Sequence, residues 1–242
     1  MRTTLKDSWF MIRSELRGDK IRLVGTLVFS IAMISYLSFF TAMILNDSAG
    51  SSDRSAVSDF MLITMVPILG FTYSRRSFKY WSEDSYTKML AYLRSLPVPI
   101  RVILCKRKIQ ALLSFTFNGI LYFAMIYGLA GSIREELSPI AYLAFALTWV
   151  GFGLAITGIY IVIELLCSGR AYCGYMFVII GICIGISFLV NFSGGNLMFY
   201  SINCSQDGLL SPLMWATLLT GVISMQLFSK WTAHRLKKRD LK

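Results

Sequence analysis

Residues 139–166 read PIAYLAFALTWVGFGLAITGIYIVIELL, and Glu164 is the one charged residue in this apolar run. A helix of about 20 residues rises about 30 Å, which is the thickness of the hydrocarbon core of a bilayer. The run is therefore long enough to cross a membrane as a helix. Its apolar residues do not alternate with polar ones, so a barrel strand is excluded.

The rest of the chain repeats this pattern. Of its 242 residues 55% are apolar and 15% are charged, and the mean hydropathy is +0.60. A soluble domain of this length does not have this composition or gather its apolar residues into separate blocks. We predict an all-α integral membrane protein with six transmembrane helices in a single domain over residues 1–242. The predicted spans are residues 23–45, 60–73, 109–130, 139–166, 172–192 and 209–229.

The second block is short and contains Pro67. We expect Ser58 and Asp59 to cap its helix. We expect Pro67 to kink the helix, with neighbouring groups satisfying the carbonyl that loses its N–H partner.

The basic residues are distributed very unevenly between the loops. Of the 24 Lys and Arg, 22 fall in the N-terminal segment, the stretch 74–108, the loop at Gly169 and the tail, while Arg54 and Arg134 fall on the other side. Because Lys and Arg favour the cytoplasmic side, both termini of this multi-pass protein are predicted to be cytoplasmic. Topology and anionic lipid explain the net charge of +11, so no nucleic-acid partner is expected.

Nucleophiles and metal ligands are scarce at membrane depth. The single histidine, His234, lies in the tail, and Cys167 and Cys173 share a loop that has no further ligand, so they are read as packing residues. No external cysteine pair exists to form a disulfide, because Cys204 alone is predicted to be outside. We predict no catalytic residue, no metal site and no enzymatic activity in this chain.

The N-terminal segment has the pattern of an amphipathic helix. Its apolar residues recur at helical spacing between residues 4 and 17, and they are Leu5, Trp9, Ile12 and Leu16. Two interpretations fit. The helix lies along the membrane surface with Trp9 in lipid and basic residues facing phosphates, or it is an ordinary juxtamembrane anchor.

A second amphipathic helix is predicted at about residues 84–96, between spans two and three. Its apolar face has i, i+3, i+4 and i+7 spacing and consists of Tyr86, Met89, Leu90 and Leu93. Pro97 and Pro99 end it, and residues 100–108 are expected to begin the third helix below the membrane. Such a helix suits docking into a groove of a cytosolic partner, or it packs against its own membrane domain.

The sequence around this helix resembles a known family. Residues 86–99, YTKMLAYLRSLPVP, followed by ILCK at 103–106, resemble the YLLSLPVSR…IVLGK segment of bacterial type-2 ATP-binding-cassette (ABC) exporter permeases. Leu93, Ser95, Leu96, Pro97, Val98 and Lys106 match that pattern. Pro99 replaces a small polar residue and Cys105 replaces a glycine.

The resemblance implies specific partners. The coupling helix, including Tyr86, Met89, Leu90, Leu93 and Leu96, would contact a separate ATPase subunit, and the loop with Ser168, Gly169 and Arg170 would make a second contact. A second permease chain, identical or related, would complete the membrane domain. The chain has no G-x-x-x-x-G-K-[ST], so it holds no cofactor itself, and ATP and Mg²⁺ belong to the partner subunit.

These features predict the permease subunit of an ATP-driven exporter whose cargo is an amphipathic peptide, an antibiotic or a lipid-like molecule. The spans carry no ionisable residue near mid-membrane, as an ion-coupled transporter would, so the energy must come from outside the chain. The alternative is a non-transporting membrane partner, such as an immunity or signalling component. A possible substrate path consists of Phe60, Met61, Thr64 and Met65. The alternative for each of these side chains is that it faces lipid or packs in the core.

Small and polar residues within the spans leave alternatives open. Gly174, Gly181 and Gly185 allow close helix contact, either within the chain or with a second chain, and the glycines of the fourth span have the same ambiguity. Glu164 is expected to pair with Arg170 or to reach interfacial water. Apolar residues in the last external loop, 191–211, suggest a re-entrant or interfacial segment.

Overall fold

A computed structural model of the chain describes residues 2–18, 20–50, 56–71, 91–92 and 98–238. Nearly all of these residues are helical. In chain order the helices are α1 (Arg2–Gly18), α2 (Lys20–Gly50), α3 (Ala56–Ile68), α4 (Ile100–Leu129), α5 (Gly131–Glu136), α6 (Pro139–Leu166), α7 (Gly169–Phe192), α8 (Leu197–Ser205) and α9 (Pro212–Lys238), with a 3-10 turn at Gly208–Leu210 before α9.

Five helices among the described residues are long and apolar enough to cross a membrane. They are α2 over Leu23–Asp47, α4, α6, α7 and α9 over Pro212–Leu236. They confirm the helical fold and five of the predicted spans. α4 begins at Ile100, so the basic stretch 100–108 belongs to this helix as expected, whereas α9 begins at Pro212 because residues 208–210 form the 3-10 turn.

The second predicted span differs from the expectation. Helix α3 has 13 residues, which corresponds to about 20 Å and is shorter than a bilayer core. Pro67 lies in its last turn, and beyond it the backbone closes with tight bonds from Leu69 N to Val66 O (3.1 Å) and from Phe71 N to Ile68 O (3.0 Å). The expected kinked helix over 60–73 is therefore wrong at its described end, because the helix stops at Ile68.

The expected capping of this helix by Asp59 is also wrong. α3 begins at Ala56, so Ser58 and Asp59 lie in its first turn, and both side chains are buried. Asp59 has another role, which is described below.

Two apolar clusters hold the helices together. The larger one joins α2, α3, α4, α6 and α8, and its fully buried side chains include Ile34, Leu62, Tyr122, Phe145 and Met198. The smaller one lies at the other end of α4 and α6, where Leu104, Ala111, Ile161 and Leu165 meet Leu236 of α9.

Helices α6 and α9 pack with their backbones almost in contact. A Cβ on Gly151 would lie 2.5 Å from Leu218 N, and one on Gly221 would lie 2.5 Å from Gly151 O. Ser224 Oγ donates a hydrogen bond to Ala155 O at 2.9 Å. The small residues of the fourth span therefore serve packing within the chain.

Helix α7 is covered far less. Gly169, Tyr172 and Ser187 are its buried residues, and large side chains such as Phe177 and Phe188 are exposed. A Cβ on Gly174, Gly181 or Gly185 would meet nothing within 4 Å. In the chain alone these three glycines make no close helix contact.

Candidate functional site

The half-length helix α3 is held at both ends by side chains, and these contacts define the candidate site. At its first turn the Asp59 carboxylate is fully buried. Its Oδ2 accepts a hydrogen bond from Leu197 N and its Oδ1 accepts one from Met198 N, both at 2.8 Å. Asp59 therefore caps the N-terminus of α8, where free N–H groups and the helix dipole favour a negative charge.

Other side chains also hold α8 in place. Asn196, at the N-cap, accepts from Phe199 N at 3.0 Å, so the first three N–H groups of the helix are all satisfied. Trp149 Nε1 on α6 donates to Ser201 Oγ at 3.3 Å. The expected apolar segment in the last loop is thus a helix docked against α3 and α6.

The other end of α3 is held by Asn118 of α4. The buried Asn118 Nδ2 donates to Leu69 O at 2.9 Å and to Phe71 O at 3.3 Å. Carbonyl groups beyond a helix end need such donors where no water is present. A Cβ on Gly70 would lie 2.8 Å from Thr157 Oγ1, so this turn lies directly against α6.

Polar side chains also lie where α3 packs against α7, since Ser187 is one helical turn from Cys183, the neighbour of Thr64. Thr64 Oγ1 and Ser187 Oγ are buried and have no hydrogen-bond partner of ordinary geometry, although Thr64 lies beside the Cys183 thiol. A buried hydroxyl without a partner costs free energy. The contact between α3 and α7 is therefore less well satisfied than the contacts at the two ends of α3.

The predicted substrate path falls on this helix. Thr64 faces the contact with α7, whereas Phe60, Met61 and Met65 are half-buried, and Met65 packs against the larger apolar cluster. The structure thus brings one of the four predicted residues to the polar contact.

A buried ion pair joins α4 and α6 at the end that carries the smaller apolar cluster. Arg107 Nε lies 3.0 and 2.9 Å from the two oxygens of Glu164, and Arg107 Nη2 lies 2.7 Å from Oε2. The two side chains are 12% and 3% exposed. The expected pairing of Glu164 with Arg170 or with interfacial water is wrong, because Arg107 occupies both carboxylate oxygens.

The predicted second cytoplasmic contact lies just beyond this pair. Ser168 and Arg170 are exposed, and Gly169 is buried at the start of α7. The predicted coupling-helix residues Tyr86, Met89, Leu90, Leu93 and Leu96 lie outside the described residues. Within that segment Ala91 and Tyr92 are described, and both are helical and exposed.

The cysteines and acids form no ligand cluster in the described part of the chain. None of the five cysteines, all of which are described, forms a disulfide. Among the residues that the structure describes, no three His, Cys, Asp or Glu side chains lie close enough together to hold a metal ion.

Sequence reasoning missed three of these residues. Asn118 is an isolated amide inside a long apolar block, and that pattern by itself indicates a buried donor. Asp59 was assigned to its own helix because its true partners, Leu197 and Met198, are remote in sequence. Arg107 was counted as one of several cytoplasmic basic residues, and sequence gives no means to choose among them.

The described helices have the transmembrane character of a multi-pass helical membrane protein. Comparisons with family models, with curated proteins and with solved structures found no match to this chain.

Proposed function

We propose that this chain is the membrane subunit of an ATP-driven exporter in a bacterial cytoplasmic membrane, with both termini inside and six spans, of which α3 is a short one. A separate ATP-binding-cassette subunit supplies ATP hydrolysis, and a second permease chain completes the assembly. The cargo is an amphipathic peptide, an antibiotic or a lipid-like molecule. The proposal rests on the resemblance of residues 86–106 to type-2 permeases, together with the geometry of the helices that flank this segment.

The observation that carries the proposal is the brace formed by Arg107 and Glu164. Helix α4 follows the predicted coupling helix directly, and α6 leads directly into the predicted second contact at Ser168. The ion pair and the smaller apolar cluster join these two helix ends. In a permease driven from the cytoplasm, this arrangement would carry a push on either contact to both helices.

The distribution of charge supports an external energy source. The five membrane-length helices carry no Asp, Glu, Lys or Arg in their central parts, and the Arg107–Glu164 pair lies at one end of α4 and α6. A proton- or ion-coupled transporter would place such groups near the middle of the bilayer.

The uncovered face of α7 supports the second permease chain. Gly181 and Gly185 have GxxxG spacing and open space beyond them, and this pattern permits close approach of another helix. Gly181→Leu with Gly185→Leu should shift the purified assembly toward the single chain, measured by mass photometry in detergent. Ile182→Leu is the matched control on the same helix. An unchanged oligomer in the double variant would rule out this contact.

The contact between α3 and α7 supports a path for an amphipathic cargo. It combines apolar side chains with the Thr64 and Ser187 hydroxyls, which have unused hydrogen-bonding capacity. A cargo with both apolar and polar groups could use both kinds of contact.

The experiment that tests the proposal compares three coupling-helix variants. Leu90→Asp and Leu93→Asp place a charge on the predicted docking face, whereas Ala91→Asp places the same charge on the opposite, exposed face. The chain is co-expressed with candidate ATP-binding-cassette subunits from its own genome and is purified from membranes. We expect the two leucine variants to insert normally but to lose ATPase binding and stimulation, while Ala91→Asp retains both.

Two outcomes would overturn this proposal. If both leucine variants still bind and stimulate the ATPase, the coupling-helix assignment is wrong. If the wild-type chain binds its ligand but no ATPase, the protein is instead a non-transporting membrane partner of the immunity or signalling type.

A further inference from the structure

Helix α1 is fixed to the start of α4 along one side. Ser8 Oγ lies 3.1 Å from Val102 O and 2.7 Å from Thr4 O, so its hydroxyl donates toward both carbonyls. Ile12, one turn further on, is 3% exposed. The rotation of α1 about its own axis is therefore set by the protein.

With that rotation fixed, the other sides of α1 have defined directions. Leu5 and Trp9 lie next to the buried side and are 54% and 50% exposed. Lys6, Arg13 and Arg17 are spaced i, i+7 and i+11, so they share the next face, and all three are exposed. The exposed apolar residues Leu5 and Trp9 thus lie beside a strip of basic residues. We call the strip formed by Lys6, Arg13 and Arg17 the basic face of α1.

The position of α1 along the chain places this face at a membrane boundary. A single residue separates α1 from α2, and the apolar span of α2 begins at Leu23. From Lys20 to Leu23 the helix rises only about 5 Å. The C-terminal end of α1 therefore lies near the level of lipid headgroups, and the contact of Ser8 with Val102 holds the middle of α1 beside the basic first turns of α4, with Leu5 and Trp9 exposed as apolar anchors.

A second helix end nearby has the same chemistry. Leu236 of α9 packs against Leu104 of α4, close to Val102. On that helix the Arg235 guanidinium lies 5.7 Å from the centre of the half-exposed Trp231 ring. A basic side chain beside an aromatic ring at a helix end is typical of the interface between water and lipid.

We propose that the basic face of α1, formed by Lys6, Arg13 and Arg17, is a docking surface for the headgroups of anionic phospholipids. The occupant is a phospholipid rather than soluble phosphate, because the exposed Leu5 and Trp9 side chains need acyl chains beside them. This inference goes beyond the proposed function and does not depend on it. Since Ser8 links α1 to the first turn of α4, lipid bound here lies beside the helix that follows the predicted coupling segment.

The test uses the full chain reconstituted in vesicles of equal parts phosphatidylcholine and phosphatidylglycerol. The protein is re-extracted in mild detergent, and the lipids that remain bound are measured by mass spectrometry. We expect the wild type to retain phosphatidylglycerol preferentially. Each basic residue near an anionic surface changes binding roughly fivefold. In the triple variant Lys6→Gln, Arg13→Gln, Arg17→Gln, the ratio of bound phosphatidylglycerol to bound phosphatidylcholine should therefore fall at least about tenfold.

Matched controls separate the site from general charge effects. Arg13→Gln alone should reduce the preference, whereas Arg134→Gln, an exposed arginine on α5, should leave it unchanged. The charge-retaining variant Lys6→Arg, Arg13→Lys, Arg17→Lys should keep it. An excess of inorganic phosphate should not displace the bound lipid.

Several results would overturn the inference. They are an unchanged preference in the triple variant, an equal loss in Arg134→Gln, a loss in the charge-retaining variant, or displacement by inorganic phosphate. None of these measurements involves an ATPase, so they are independent of the test of the proposed function.

Discussion

Breaking the ion pair between α4 and α6 should destabilise the protein strongly. Glu164→Gln leaves the Arg107 guanidinium 12% exposed and facing a neutral amide. Removing one member of a buried pair costs roughly 3 to 5 kcal/mol, because the remaining charge stays desolvated without its partner. The apolar residues around the pair, such as Leu165, are themselves buried and leave little room for water.

The assay is reversible unfolding of the purified full chain in mixed micelles, with the free energy of unfolding compared between variants. Arg107→Met with Glu164→Met removes both charges and keeps similar side-chain volume. We expect this double variant to lie within about 2 kcal/mol of the wild type, since apolar replacement of a whole buried pair is often neutral or stabilising. Arg101→Gln, on the same helix but exposed, should change the free energy by less than about 0.5 kcal/mol.

Two results would refute this reasoning. In the first, Glu164→Gln unfolds at the same free energy as the wild type, so the pair is solvated and contributes little. In the second, the double variant is as unstable as the single one, so the loss comes from packing and not from an unpaired charge.

Three further predictions concern the contacts at the two ends of α3 and the close contact between α6 and α9. Asp59→Ala should cost about 2 kcal/mol and should raise maleimide labelling of Cys204 on α8, because two N–H groups lose their acceptor; unchanged labelling would argue against the cap. Asn118→Leu should cost about 1 to 3 kcal/mol by leaving the Leu69 carbonyl unpaired, and a melting temperature equal to the wild type would contradict this. Gly151→Ala should cost about 1 to 3 kcal/mol in thermal unfolding because its Cβ has no room against α9, whereas Gly25→Ala on α2 should be neutral or slightly stabilising; equal effects of the two changes would refute the close contact between α6 and α9.

Much of the fold follows from the length of apolar blocks. Any block of about 20 apolar residues must satisfy its backbone internally in lipid, so the helices α2, α4, α6, α7 and α9 are predictable from the sequence. The second block is too short for this rule and contains Pro67. Sequence therefore indicates an irregular helix there, but it cannot say whether the chain kinks and continues or stops at Ile68.

Contacts between remote residues are the part that sequence could not supply. Arg170 is near Glu164 along the chain, and Arg107 is not, yet Arg107 faces Glu164 across two packed helices. Asp59 likewise finds its partners at Leu197 and Met198. Such pairings depend on how helices rotate and pack, and one chain's apolar pattern does not determine these angles.

In the proposed function a separate ATPase drives this chain from the cytoplasm. Vanadate-sensitive ATP hydrolysis tests this in vesicles that contain the wild-type chain and a candidate ATP-binding-cassette subunit from its own genome. We expect a stable complex whose hydrolysis rises above that of the ATPase alone and returns to that level with Leu93→Asp, but not with Ala91→Asp. If no complex forms, or if hydrolysis is the same with and without the wild-type chain, the claim is wrong.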